Sequence, residues 1–163
     1  MQFIMKEKQN IASSKVMKKI KSWIFIFFVM GFIYTNLELM FRNRTHVSML
    51  IVGGLCGALI GLINEKNHDM KMWIQCIMGT LVILAIEFIS GYIVNIKLGL
   101  NVWDYSGLKF NIMGQISLLF AGIWFLLSVP IIWLDDYLRY KFFDGEYYGT
   151  LKEYYKKLII LKW

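Results

Sequence analysis

Residues 73–96 read "WIQCIMGTLVILAIEFISGYIVNI", and no other stretch of the chain says more about its architecture. The stretch is long and apolar enough to cross a membrane, since a transmembrane helix needs roughly 17–25 predominantly apolar residues. A single acidic residue, Glu87, lies close to its centre. The stretch therefore predicts a membrane-spanning helix that carries an ionisable group at midspan.

Three further runs have the same apolar character, and they cover residues 23–41, 47–63 and 112–134. Hydrophobic residues make up 58% of the chain and the mean hydropathy is +0.53. A soluble domain is typically about 45–50% apolar, and a soluble core this small could not bury the excess. We therefore predict an all-α, polytopic membrane protein. Its architecture would be a four-helix transmembrane bundle with a structured outer loop between the third and fourth helices.

The net charge of +7 is unevenly distributed along the chain. The segments 1–22, 64–72 and 135–163 together hold fourteen Lys and Arg residues, whereas the other two connections hold four. Cytoplasmic segments of membrane proteins carry the excess of basic residues. Both termini are therefore expected on the cytoplasmic side of a bacterial plasma membrane. The charge is assigned to membrane topology and not to nucleic-acid binding.

The two terminal segments are predicted to be cytoplasmic tails. Residues 1–22 form a basic tail, and residues 135–163 are rich in both basic and aromatic residues. Apolar and aromatic side chains recur at helical spacing between Tyr148 and Ile159, with lysines between them. This pattern fits a helix that lies on the anionic leaflet, and a partly ordered tail fits it equally well.

The inner end of the fourth run carries two further features. Pro130 cannot donate a backbone hydrogen bond, so a neighbouring helix must satisfy the carbonyl group that it frees. Asp135, Asp136 and Arg139 form a charged group just beyond. We interpret this group as a solvated helix end, with a docking point for a cytoplasmic partner as the alternative.

Glu87 is the most informative single residue. It lies about 4 Å from the expected midplane at a rise of 1.5 Å per residue. An ionised carboxylate there costs at least about 2.5–3.5 kcal/mol. We expect Glu87 to face the bundle interior, on the same helix face as Thr80 and Gly91. It is either a substrate, ion or proton site or a buried hydrogen-bonded strut.

The connection after the third run is "NVWDYSGLKFN" at residues 101–111. It holds more large apolar and hydrogen-bonding side chains than a plain loop needs. Its large apolar side chains favour burial, while its polar side chains need hydrogen-bond partners. We predict a cap that folds onto the bundle over a polar seam, where protein groups can satisfy its backbone. The candidate seam residues are Glu87, Asp104, Tyr105, Trp103, Asn111, Gln115, Glu38 and Arg42. For Glu38 and Arg42, an i,i+4 ion pair with a purely structural role is the alternative.

Small residues form a ridge on the second run, at Gly53, Gly57 and Gly61. This spacing lets helices approach closely, either within one chain or between two chains, so a homodimer is a candidate.

No cofactor and no metal are expected. His46 and His68 stand alone, and no metal-ligand spacing occurs. The two cysteines, Cys56 and Cys76, lie within apolar runs and are interpreted as small packing residues.

A family resemblance rests on the run from residue 85 to residue 140. The matching motifs are Glu87-Phe88, then "WDYS" at 103–106, Phe110-Asn111, Gly114 and the long apolar run. This arrangement resembles the bacterial family described as "putative ABC-transporter type IV", or CmpB-like permeases. The chain departs at Gln115, where many members have Arg, so a role that needs a cation there is not expected. The resemblance implies transport, without a defined substrate.

Three functional hypotheses follow. The first is a permease-like subunit of a transport system that needs a second copy, a separate ATPase or another membrane partner. The alternative is a non-catalytic membrane regulator or scaffold. A membrane-embedded enzyme that uses Glu87 or Asp104 as acid or base is the third and weakest hypothesis. The sequence has no Walker A loop, no GxSxG and no HExxH motif.

Overall fold

The computed structural model describes the backbone of residues 2–66 and 69–160, and the side chains of residue 13 onward within those ranges. This description does not include the side chains of four residues counted or named above, which are Lys6, Lys8, His68 and Lys162. The helices are α1 Gln2–Arg42, α2 Val47–Lys66, α3 Met72–Gly91 with a π-helical continuation Tyr92–Lys97, α4 Leu118–Phe143 and α5 Leu151–Ile160. Two short strands, β1 Asn111–Ile112 and β2 Ile116–Ser117, form an antiparallel hairpin.

Four of the helices are long and apolar enough to cross a membrane. These segments are Ser13–Arg42, Val47–Lys66, Met72–Lys97 and Leu118–Phe143. The prediction of an all-α polytopic membrane protein is thereby confirmed. We call the end of the bundle that holds residues 98–117 the loop end. The opposite end, where α2 ends, α3 begins and α5 packs, is called the tail end.

The first helix is longer than the predicted span at 23–41. It begins at Gln2 and continues without a break to Arg42. Residues 1–30 contain neither Pro nor Gly, so the basic segment has nothing to end the helix before the apolar residues begin. Segment 1–22 is thus largely helical, and Lys19 forms an ion pair of 2.9 Å with Glu65 of α2.

The fourth helix differs from the predicted span at 112–134. It begins at Leu118, because the preceding residues turn back in the hairpin at Gly114, whose φ of +69° favours glycine. Ser117 caps the helix, since its Oγ accepts a hydrogen bond from a backbone N–H of the first turn. The hairpin contains Ile112, Met113 and Ile116 and runs directly into the apolar helix, so the hydropathy pattern included it in the span.

The glycine ridge of α2, defined by Gly53, Gly57 and Gly61, packs within the chain. A Cβ on Gly53 would lie 2.5 Å from the Cβ of Tyr34, and one on Gly57 would overlap the side chain of Met30. Both partners belong to α1, which packs against α2 more extensively than any other helix does. A Cβ on Gly61 would overlap the carboxyl group of Asp135 in α4. The ridge therefore brings α1 and α4 close to α2.

Pro130 lies inside α4, where it leaves the carbonyl group of Leu126 without the amide of residue 130. The hydroxyl of Tyr155, on α5, donates a hydrogen bond of 3.4 Å to this carbonyl oxygen. The element that satisfies the freed carbonyl is thus the C-terminal helix.

The ridge generates the first prediction. Gly57→Ala should lower the stability of the purified protein by about 1–3 kcal/mol, because the added methyl group overpacks the contact with Met30. Gly122→Ala is the matched control, since a Cβ there meets no atom within 4 Å. Thermal unfolding in detergent micelles measures both variants. Equal loss in the two variants would contradict the close approach of α1 and α2.

The second prediction concerns Tyr155→Phe, which removes the donor to the Leu126 carbonyl group. We expect a loss of about 1 kcal/mol in the free energy of unfolding. In a Pro130→Ala background the amide of residue 130 is restored, so the same substitution should cost markedly less. Chemical unfolding of the four proteins of this cycle measures the coupling, and an additive cycle would show that the two residues act independently.

Candidate functional site

Glu87 lies inside the bundle, with 2% of its surface exposed. Its Oε2 accepts a hydrogen bond of 3.0 Å from Nε1 of Trp124, which α4 positions opposite α3. Within the described part of the chain, Trp124 is the only side chain that donates to this carboxyl group. One partner is modest support for a carboxyl group at midspan, where exposure to lipid would be costly.

A cavity of about 170 Å³ adjoins Glu87, and all four spanning helices contribute to its wall. Apart from Glu87 and the rings of Tyr34 and Trp124, the lining consists of aliphatic side chains, glycines, a proline and Cys56. The rings of Tyr34 and Trp124 lie 6.0 Å apart between their centroids. Glu87 thus supplies the one carboxyl group among the residues that line this largely apolar cavity.

A charged cluster closes the loop end of α1. Glu38, with 7% of its surface exposed, accepts a hydrogen bond of 2.6 Å from Arg42 and one of 2.7 Å from Thr45. Arg42 also donates to the backbone carbonyl group of Val102, at 2.6 Å. The i,i+4 pair expected from the sequence is therefore present. It also ties α1 to the segment that follows α3.

A second cluster fixes that segment to the ends of α3 and α4. Asn95 donates a hydrogen bond of 2.7 Å to Oε1 of Gln115 and accepts one of 2.7 Å from the backbone amide of Val102. The indole of Trp103 donates to the backbone carbonyl group of Gln115, at 3.0 Å. Gly91 makes room for this packing, because a Cβ there would lie 2.9 Å from the ring of Trp103. The loop is folded down onto the bundle.

Asn95 was not among the candidate residues, although it contributes two of these hydrogen bonds. It belongs to the π-helical turn Tyr92–Lys97, which changes the direction in which residues near the end of α3 point. The sequence does show an amide side chain, that of Asn95, near the end of an apolar run where a buried residue is expected. The period of an ordinary α-helix could not indicate which way that amide faces.

Tyr105 interacts electrostatically with Glu87 and with the cluster of Glu38 and Arg42. Its ring stacks on Phe120 of α4, with 4.3 Å between centroids and 17° between planes. Burial raises the pKa of Tyr105, the carboxyl groups of Glu87 and Glu38 raise it further, and Arg42 lowers it. The raised pKa keeps the phenol group of Tyr105 neutral.

Asp104 and Asn111 lie apart from this set. Asp104 is exposed and accepts hydrogen bonds of 2.8 and 2.9 Å from the backbone and hydroxyl groups of Ser106, which lower its pKa. Asn111 donates to the carbonyl group of Leu108, at 2.7 Å, and accepts from the amide of Gly114, at 3.0 Å. Both side chains close local turns, because an Asx side chain readily bonds to backbone groups two or three residues away.

The interpretation of Asp135, Asp136 and Arg139 as a solvated helix end is wrong. Asp135 is completely buried and accepts a hydrogen bond of 2.9 Å from Arg139. Arg139 also donates to Ser22 of α1, at 3.1 Å, and forms an ion pair of 3.5 Å with Glu65 of α2. The polar group therefore joins three helices at the tail end.

Asp136 connects the same end to α2 and α5. It accepts hydrogen bonds of 2.7 Å from Asn64 and 2.6 Å from the hydroxyl of Tyr154. Burial and the contact with Asp136 raise the pKa of Tyr154, which keeps its hydroxyl protonated as a donor. Helical spacing of the C-terminal apolar and aromatic residues left a helix and a partly ordered tail as equal alternatives; the structure has the helix, with a buried partner that spacing could not predict.

The geometry can be compared with known proteins. A family model described as "Putative ABC-transporter type IV" matches residues 22–144, a range that includes Glu87, both loop-end clusters and the hairpin. Comparisons with curated proteins and with solved structures give no match. The family match covers well over half of the chain, and four helices within or overlapping it are apolar enough to cross a membrane. The chain therefore belongs to the family described as "Putative ABC-transporter type IV" and is a membrane component of transport type.

Proposed function

We propose that the chain is a permease-like subunit of a transport system in the bacterial plasma membrane. Its polar seam would run from Glu87 past Tyr105 to Glu38 and Arg42. The segment 98–117 would cap this seam at the outer face. The seam proposed from the sequence also contained Asp104 and Asn111, and in the present proposal these two residues shape the cap.

The observation that carries the proposal is the carboxyl group of Glu87 at midspan, beside a cavity that all four helices line. An acid at this depth is expensive, and such residues in membrane proteins often mark the path of a substrate, an ion or a proton. A purely structural strut would be surrounded on all sides by packed protein. Glu87 instead faces open volume on one side.

The orientation rests on the basic residues. Fourteen Lys and Arg residues belong to segments at the tail end and four to the loop end, so the tail end would face the cytoplasm. Lys152, Lys156 and Lys157 on α5 would then lie close to the anionic leaflet, as expected for an interfacial helix. The cap would face outward.

The need for a partner subunit follows from the volume of the cavity and the number of helices. A cavity of about 170 Å³ is smaller than the roughly 300–1,000 Å³ of a typical small-molecule site. Four helices would therefore complete a pathway only with a second copy or with another membrane subunit. The sequence has no Walker A loop, so energy from ATP would come through a separate ATPase.

The proposal is tested by purifying the tagged full-length chain from bacterial membranes in mild detergent. Co-purified subunits are identified by mass spectrometry, and ATP hydrolysis by the complex is measured. We expect an ATP-hydrolysing subunit in a fixed ratio to the chain. Recovery of the chain alone, without ATP hydrolysis, would overturn the transport-subunit proposal. A stable partner without ATPase activity would favour the regulator or scaffold.

The third prediction concerns Glu87→Gln in this complex. Glutamine keeps the size of the side chain and an acceptor for Trp124, but it can neither ionise nor release a proton. We expect an unchanged melting temperature and unchanged recovery of the complex. ATP-coupled activity should fall about tenfold, the effect of losing ~1.4 kcal/mol. Glu146→Gln, at an exposed position, should leave the activity unchanged. Full activity of Glu87→Gln would reduce Glu87 to a structural strut.

The fourth prediction concerns the cap. Arg42→Ala removes the link between Glu38 and the carbonyl group of Val102, so residues 98–117 should open more often. We expect amide hydrogen exchange there to become about tenfold faster. Arg44→Ala is the control, because Arg44 is exposed in the neighbouring connection. Equal exchange rates in the two variants would show that Arg42 does not hold the cap.

A further inference from the structure

The cavity beside Glu87 has an entrance that faces away from the bundle. Ile33 and Leu37 of α1 and Leu127 of α4 line the cavity, and between 36% and 42% of the surface of each is exposed. All three belong to membrane-spanning segments, so their exposed surface would face lipid. The entrance therefore opens sideways, toward the hydrocarbon of the bilayer.

The packing of α1 against α4 explains this entrance. The two helices meet through Ile26, Met30 and Leu138, toward the tail end. Met30 forms the near wall of the cavity, and from there toward the loop end the gap between the helices is lined by the entrance residues. Nearer the loop end the rings of Tyr34 of α1 and Trp124 of α4 also approach each other, with 6.0 Å between their centroids, and both rings line the cavity.

The cavity wall has few polar groups. It is largely apolar, and the side chains with polar groups are those of Glu87, Trp124 and Tyr34; Oε2 of Glu87 accepts a hydrogen bond from the indole of Trp124. A carboxyl group has two oxygens and about four acceptor sites, so acceptor capacity remains at this point. Apolar walls with a small number of convergent polar groups are typical of small-molecule sites.

The size of the cavity limits what it can enclose. An engineered protein cavity of about 150 Å³ with apolar walls binds benzene. The present volume of about 170 Å³ would hold one ring or a short alkyl segment. A longer molecule would leave its remaining part in the bilayer, on the far side of the entrance.

We propose that this cavity binds a membrane-resident alcohol, whose apolar body enters between α1 and α4 and whose hydroxyl group donates a hydrogen bond to Glu87. The inference rests on the proposed function, because it names the class of molecule that the seam would receive. It adds that the molecule comes from the bilayer and not from the aqueous phase. A plain acyl chain would fill the volume but leave Glu87 without its second partner.

The test uses the full-length chain in phosphatidylcholine nanodiscs with a diazirine-bearing octanol as the photoaffinity probe. Labelled peptides are mapped by mass spectrometry. We expect labelling of cavity-lining residues, and competition by n-octanol about tenfold stronger than by octyl methyl ether at equal concentration in the lipid. This ratio is the scale of one hydrogen bond. Equal competition by the two compounds would overturn the role of the hydroxyl group.

Matched substitutions separate entry from general partitioning. Leu127→Trp should block the entrance and reduce labelling about tenfold. Leu126→Trp changes the next residue, which is 55% exposed and does not line the cavity, and it should label like the parent chain. Ile33→Trp and Phe32→Trp repeat the comparison on α1. Equal labelling within both pairs would overturn the lateral entrance.

Glu87→Leu tests the polar contact directly. In this variant n-octanol and octyl methyl ether should compete equally, and a retained preference for the alcohol would refute the assignment to Glu87. The variant is first checked for a single symmetric peak in size-exclusion chromatography. If it does not fold, the Leu127 and Ile33 pairs together with the two competitors decide the matter in the parent chain.

Failure of the alcohol site can be told apart from failure of the proposed transport function. The labelling experiment uses the chain alone, whereas the proposed function is judged by the ATP-coupled activity of the complex. An unlabelled cavity in an active complex would refute only the lateral alcohol site. A labelled cavity in a chain that has no ATPase partner would refute only the transport-subunit proposal.

Discussion

Inside the hydrocarbon of a membrane no water can satisfy a polar group, so each one must find its partner within the protein. This constraint explains the main tertiary contacts of the chain. The indole of Trp124 meets the carboxyl group of Glu87, and the hydroxyl of Tyr155 meets the carbonyl group that Pro130 frees. Each contact joins two helices that apolar packing alone would leave free to slide.

The polar contacts are concentrated in two layers. At the loop end, Glu38, Arg42, Asn95 and Gln115 fix the connection between α3 and α4. At the tail end, a network centred on Arg139 ties α1, α2 and α4 together. Between the layers the helices meet through glycines and aliphatic side chains, and the cavity lies in this region. The layers therefore hold the two ends of the bundle together, while the packing between them leaves a cavity.

Sequence patterns predicted the spanning helices well, because length and hydropathy are local properties of the chain. They also predicted that Glu87 would face inward, since the cost of lipid exposure depends only on depth. The loop at 101–111 was expected to fold down on the bundle, and Trp103 does so. The hairpin at 111–117 was missed, because its apolar residues, Ile112, Met113 and Ile116, lead directly into the apolar helix that follows. Asp104 is a candidate seam residue because of its charge, yet its carboxyl group accepts hydrogen bonds from Ser106 and closes a local turn.

The sequence by itself determined the number of spanning helices and the residues that cannot face lipid. The close approach of α2 to its neighbours was visible in the spacing of Gly53, Gly57 and Gly61. Only the tertiary structure decided which partners those residues meet. Trp124 lies 37 residues from Glu87 along the chain, and Ser22 lies 117 residues from Arg139. Such pairings depend on how whole helices rotate and cross. Periodicity reports the faces of a helix but not the neighbour toward which each face turns.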